Sequence, residues 1–232
     1  MGLSLLHGAH RLGGYAVNHK KLHRLYCEEK LVLRKKSKKR LKCEKRGMVA
    51  AGTRPGQGWS MDFIHDSLAD GRSFRTLNLA DTFTRQCLGQ EVDTSLSSHR
   101  VTRLLGRAAE KHGLSAEIQV DNGPEFRSKE LDLWAYDLRL MAYGYRVKLV
   151  FIDAGKPTQN GHIESFNGRF RAECLDQEWF GSLAQAGEII EAWRIGYNSQ
   201  RPHSSVGYLP PDVWKERYHQ QKKNAMLWLA YK

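Results

Sequence analysis

Three acidic residues stand where a charge is costly. Asp62 lies inside the apolar run WSMDFIH (59–65). Asp121 closes AEIQVD (116–121), just before the turn pair Asn122-Gly123. Glu164 sits in a helix-forming stretch that follows Gly155 and Pro157. A carboxylate inside an otherwise apolar element destabilises the fold unless something compensates it. A hard divalent cation is a natural compensation, because such ions take carboxylate oxygens as ligands. Two such ions can activate an attacking oxygen and steady a leaving one during in-line displacement at phosphorus. The competing account pairs each carboxylate with an Arg or Lys. Asp81, Asp93 and Asp153 also end strand-like runs, so position alone does not choose.

The helix that carries Glu164, expected over about 159–175, adds to this. Asn160, Asn167, Gly168 and Arg171 share the Glu164 side at helical spacing, and Ile163, Phe166, Phe170 and Cys174 form the adjoining apolar stripe. A carboxylate among amides, a glycine and an arginine suits a ligand group facing a phosphate backbone. The planar fork of Arg171 is an effective phosphate partner. An amphipathic helix with an ordinary polar outer face would show the same pattern.

These residues need a scaffold. Residues 59–65, 74–81 and 87–93 read as three strands separated by short turns, an antiparallel meander. Residues 116–121 and 148–153 read as two further strands, the last of them buried. Between them, Ser97 or Ser98 caps a helix ended by Gly113, and Ser128 caps another carrying Leu131, Trp134, Ala135 and Leu138. A last helix runs over about 183–197. The order β-β-β-α-β-α-β-α-α predicts an α/β fold, a mixed sheet flanked by helices. Residues 17–33 read as a basic amphipathic helix, and residues 1–18 have no clear pattern.

Charge is concentrated at one end. The chain of 232 residues carries a formal net charge of +12, and between His19 and Arg46 thirteen Lys and Arg face only three Glu. The rest is close to neutral. Such a block, with Lys35, Lys36, Lys38, Lys39 and Arg40 at its centre, points to a nucleic acid or another anionic surface; a solvated tail is the alternative. The sequence shows no apolar run of the ~20 residues that span a bilayer and no signal-peptide pattern, so a cytoplasmic location is expected. Cys27, Cys43, Cys87 and Cys174 lack short pair spacing and read as free thiols. His19, His23, Cys27 and Cys43 have the wrong spacing for a zinc site.

The motifs WSMDFI, LNLADTFTR, DNGPEF, GKPTQNGHIESFNGRFR and YNSQRPHSSVGY closely resemble the integrase-like core of bacterial insertion-sequence transposases. The group is the one whose catalytic subunit comes from a second reading frame, the orfB type, a relative of retroviral integrases. The resemblance covers roughly residues 59–214. It implies an RNase H-like fold and a catalytic, metal-binding Asp-Asp-Glu triad at Asp62, Asp121 and Glu164. It also implies Mg²⁺ or Mn²⁺ and a DNA 3′-hydroxyl that joins strands during transposition and recombination. Transposon ends and target DNA are the implied partners, in a homo-multimer, with an upstream-frame DNA-binding protein as a further candidate. DNA contacts are expected from the basic block and from Lys156, Asn160, Asn167, Arg169 and Arg171.

The domain reading follows: a truncated basic helical DNA-binding region at 1–46, a linker at 47–58, a catalytic core at 59–214 and a tail at 215–232. Two departures from the family stand out. The Asp121-to-Glu164 stretch is longer than usual, with the excess in DLRLMAYGYRV (137–147), and residues 1–16 do not follow the pattern. A decayed transposase that only binds DNA, or a nuclease that only hydrolyses, are the rival readings. His162 and His203 are expected at a surface and in packing, respectively.

Overall fold

Period-two alternation of apolar residues builds the sheet, and the shortness of the turns between its first strands forces them antiparallel. In the computed structural model the elements, in chain order, are α1 (Leu3–Leu12), α2 (His19–Glu28), β1 (Gly58–Ser67), β2 (Ser73–Asp81), β3 (Cys87–Asp93), α3 (Ser98–His112), β4 (Glu117–Val120), α4 (Lys129–Ala135), β5 (Lys148–Phe151), α5 (Gly161–Glu173), α6 (Leu183–Ser199) and α7 (Pro211–Ala230). The structure describes residues 3–31, 52–136, 147–152 and 160–230. The basic centre at Lys35, Lys36, Lys38, Lys39 and Arg40, the longer stretch after Tyr136, and Lys156 lie outside the described residues.

The chain divides into two compact units, residues 47–195 and residues 1–46 together with 196–232. In the first, a five-stranded sheet has the order β3-β2-β1-β4-β5. β1 pairs with β2 and β2 with β3 antiparallel, whereas β4 runs parallel to both β1 and β5. This is the expected mixed sheet, with β1 in the middle.

The two sheet faces differ. Trp59, Met61, Leu77, Leu79, Ile118 and Val120 point to one face, where they form a core with Val101, Leu104 and Leu105 of α3 and Leu131 of α4. The other face of the same strands carries Ser60, Asp62, Thr76, Asn78 and Gln119. Ile163, Phe166 and Phe170 of α5 are buried, and the two phenylalanines pack on Trp193 of α6. β2 is buried on both faces, Asn78 included.

Several local expectations change. β5 is not buried: it is an edge strand with Lys148 and Phe151 exposed and Leu149 and Val150 half-buried, so its apolar run does not mark a central strand. Ser97 occupies the α3 N-cap but its hydroxyl makes no capping bond; the Ser98 hydroxyl instead donates to Glu130. Ser128 does cap α4, accepting from the Leu131 amide. Residues 3–12, patternless in sequence, form α1.

In the second unit α1 lies against the 204–206 turn. An added Cβ on Gly8 would stand 2.7 Å from the Tyr208 ring, so glycine there permits the close approach. Buried His203 packs edge-on against Tyr197 with ring centroids 4.6 Å apart, which fits the packing role. Among the described residues no helix is long and apolar enough to cross a membrane.

Burial also sorts the thiols. Cys87 and Cys174 are buried, and burial pushes both thiols up to about 12; Cys27 is exposed. Only a thiolate attacks a disulfide reagent. An aromatic disulfide is therefore expected to label Cys27 at once in native protein and to reach Cys87 and Cys174 only on unfolding. Rapid native labelling of either buried thiol, read by peptide mass, would contradict the packing of β3 or α5.

Candidate active site

Asp62 sits at the centre of the middle strand. β4 runs alongside β1 with Gly58, Trp59 and Ser60 opposite Glu117, Ile118 and Gln119. Two more residues in that register bring Asp121 beside Asp62. From the polar face, Asn167 of α5 donates its amide to Asp62 Oδ2 at 2.9 Å, and Glu164 lies one turn earlier on the same helix, exposed. Three elements distant in sequence thus bring Asp121 and Glu164 near enough to Asp62 for their charges to act on it.

Electrostatics ties them together. Burial first, and then the charges of Asp121 and Glu164, push the Asp62 carboxyl up to about 6 against the Phe63 amide and Asn167, which work in the opposite direction. An acid surrounded in this way favours a proton or a cation.

The other strand-ending acids have different surroundings. Asp81 Oδ1 accepts from the Phe83 and Thr84 amides, and its Oδ2 from the Gly56 amide, so it is a turn cap. Asp93 pairs with Arg100. Glu91 is held by Arg100, Arg103 and Arg107 of α3. Asp153 lies outside the described residues. The pairing account fits Asp93 and Glu91, and fails for Asp62, which has no ion-pair partner among the described residues.

The loop after Asp121 is firmly held. Asp121 Oδ1 accepts from the Gly123 amide at 2.8 Å. A Cβ on Gly123 would come within 2.9 Å of that same oxygen, so a larger residue there would displace the Asp121 carboxylate. Phe126 is fully buried and stacks on Phe63 at 4.9 Å. Glu125 pairs with Arg75 at 2.5 Å, and that guanidinium lies 4.2 Å over the Phe63 ring. Arg75 escaped the sequence reading; an arginine inside a buried strand opposite an acidic turn was the available signal.

The residues expected to touch DNA are dispersed. Asn160 is the N-cap position of α5 and buried, and Asn167 is buried against Asp62 and Asn78. Arg169 is half-buried. Arg171 spends its guanidinium on the His65 carbonyl at 2.5 Å and lies near Asp66 and Asp176. His162 is not at a free surface. Its half-buried ring faces Arg85, and burial, with that charge, lowers its pKa and favours the neutral ring.

The chain matches two integrase core domain models, one over residues 52–157 and the other over residues 145–211. It is 42% identical over 217 residues to an insertion element IS407 31.7 kDa protein of Burkholderia multivorans, covering 94% of this chain and 76% of that one. The chain belongs to the integrase-core family of insertion-sequence transposases. An insertion element IS476 39.2 kDa protein of Xanthomonas euvesicatoria is 41% identical over 96% of this integrase-core chain, which spans only 62% of that relative's length. A simian T-cell lymphotropic virus intasome chain superposes with a TM-score of 0.58 at 15% identity, covering 91% of this chain and 72% of that one. At that identity the likeness concerns fold alone, and it agrees with the RNase H-like arrangement of the sheet.

The donor set suits a hard dication: three carboxylates, mutually unfavourable when ionised, which a bound cation would relieve. Among the described residues no three His, Cys, Asp or Glu side chains already converge on one metal position. The seven residues that lead into α5, 153–159, lie outside the described residues.

Proposed function

We propose that this transposase cleaves phosphodiester bonds and joins DNA strands during transposition, with Asp62, Asp121 and Glu164 as its catalytic carboxylates. The observation that carries this reading is Asp62: a partly buried acid with no ion-pair partner among the described residues, raised to about 6 by burial and by the charges of the other two. Mg²⁺ or Mn²⁺, bound by these three, would supply Lewis-acid stabilisation of charge at phosphorus and at the attacking and leaving oxygens. The chain's own part is to hold the carboxylates in place. β1 and β4 fix the two aspartates side by side, and α5 brings Glu164 to them. In the joining step a 3′-hydroxyl oxygen bonds to phosphorus, the bond to the old 3′-oxygen breaks, and the hydroxyl proton leaves to solvent.

DNA is the substrate, both transposon ends and target, in a homo-multimer in the bacterial cytoplasm, with an upstream-frame partner as a candidate DNA reader. Phosphate contact falls to the His19–Arg46 block, Lys156 and Arg169. Arg171, occupied with His65 and Asp66, first braces α5 on β1. Asn160 and Asn167 act inside the site.

The test is incubation with labelled DNA and Mg²⁺ or Mn²⁺, with and without a chelator. Products longer than the substrate that vanish on chelation are expected. Shorter products alone would replace the reading with a hydrolytic nuclease. No products, with DNA still retained, would replace it with a decayed DNA-binding protein.

A further inference from the structure

Asp62, Asn78 and Gln90 stand directly opposite one another on β1, β2 and β3, so their side chains share the polar face of the sheet. Asn167 of α5 closes over them. Asn167 donates to Asp62 Oδ2 at 2.9 Å, Asn78 donates to Asn167 Oδ1 at 2.7 Å, and Gln90 donates to Asn78 Oδ1 at 2.7 Å. Asn78 is wholly buried and Asn167 nearly so, so these amides must satisfy one another.

The sense of the chain comes from its end. An ionised carboxylate only accepts. Asn167 must therefore turn its nitrogen to Asp62, which leaves its oxygen for Asn78. Asn78 then has only its oxygen to offer Gln90. Gln90 Oε1 is itself buried with no partner among the described residues, so its own surroundings do not set its orientation. One charge orients three amides, on α5, β2 and β3.

We infer that Asn78 and Gln90 are positioning residues for Asp62, acting through Asn167 as a one-way amide relay. The relay fixes the rotation of the carboxylate. It also ties β1 to α5 one turn from Glu164, so it sets how Asp62 and Glu164 face each other. Its effect on catalysis rests on the reading of Asp62 given above; the relay itself does not.

Two measurements on the metal-free protein test it. The first, at pH 8 where Asp62 is ionised, is the side-chain amide resonance of Gln90 by ¹⁵N NMR, in wild type and in Asp62→Asn. An amide at position 62 can donate, so Asn167, Asn78 and Gln90 are each expected to turn over, shifting the Gln90 signal and ending its slow exchange. A Gln90 signal unchanged by Asp62→Asn would overturn the relay.

The second is the melting temperature of Gln90→Glu at pH 8. Acceptor-only groups at both ends leave the two middle amides unable to serve both, and two oxygens confront. A drop of roughly 4 °C is expected for one lost buried hydrogen bond. In the Asp62→Asn background the drop should vanish, because the reversed chain is fully satisfied. An equal drop in both backgrounds would mean a local role and overturn the relay. So would a background dependence that fades in 1 M salt, which marks plain repulsion between two carboxylates. Gln90→Glu should also slow strand joining about tenfold, with DNA affinity unchanged. A wild type that joins no strands yet shows the coupling would remove the proposed function and leave the relay standing.

Discussion

Asp121→Asn is expected to reduce strand joining by about 10³-fold or more while DNA retention and melting behaviour stay close to wild type. The substitution is selective because of what Asp121 does structurally. Its Oδ1 accepts from the Gly123 amide, and an asparagine oxygen in the same place accepts that bond equally well. The Arg75–Glu125 pair and the Phe63–Phe126 stack hold the rest of the loop, and neither involves residue 121. What is lost is a negative charge beside Asp62. That charge raises the Asp62 carboxyl, so its removal lets Asp62 ionise more readily, the opposite of damage to the apo fold. Rate, DNA retention and melting temperature measured together separate the two kinds of role. Full strand joining by Asp121→Asn would end the assignment of the triad.

Much of this site could be read from residue order, and the reasons are local. Leu77 and Leu79 alternate with Asn78 and Ala80 in strand 74–81, and the short gaps holding Asp70-Gly71 and Thr84-Arg85 separate it from 59–65 and 87–93, so the existence and pairing of these strands follow from short-range chemistry. Asp62 stood out as a charge inside an apolar run, whereas Asp121 and Glu164 were singled out from other acids by the resemblance of DNGPEF and HIESFNG to the family's motifs. What escaped depends on register. Asn78 and Gln90 look like solvent-side residues of amphipathic strands, and only the alignment of β1, β2 and β3 reveals them in one row with Asp62. Asn167 and Arg171 were assigned to DNA because helical spacing gives a face but not what covers it. The same limit made β5 look buried: an apolar run cannot distinguish a central strand from an edge.

Phe126→Ala is expected to lower the melting temperature by about 10 °C and to cost activity beyond what stability explains. Phe126 has no solvent exposure and stands in the core with Met61, Val120 and Leu131. Truncating a buried phenylalanine costs about 3–5 kcal/mol, from lost burial plus the cavity left behind. In a chain of this size each kcal/mol corresponds to roughly 2–4 °C. The second part of the effect comes from where the ring sits. Phe126 ends the DNGPEF turn, and its stack on Phe63 joins that turn to the residue next to Asp62. One ring therefore fixes the loop after Asp121 against the strand bearing Asp62. Without it, the two aspartates lose their common reference even where the sheet survives. Activity measured at a temperature where Phe126→Ala remains folded should still fall about tenfold, since a displacement of about 1 Å at reacting groups costs up to 10²-fold. Phe126→Leu, which keeps most of the apolar volume but not the stacked ring, should recover most of the stability and only part of the rate. Equal recovery of both would mean that Phe126 fills space and does not align the site.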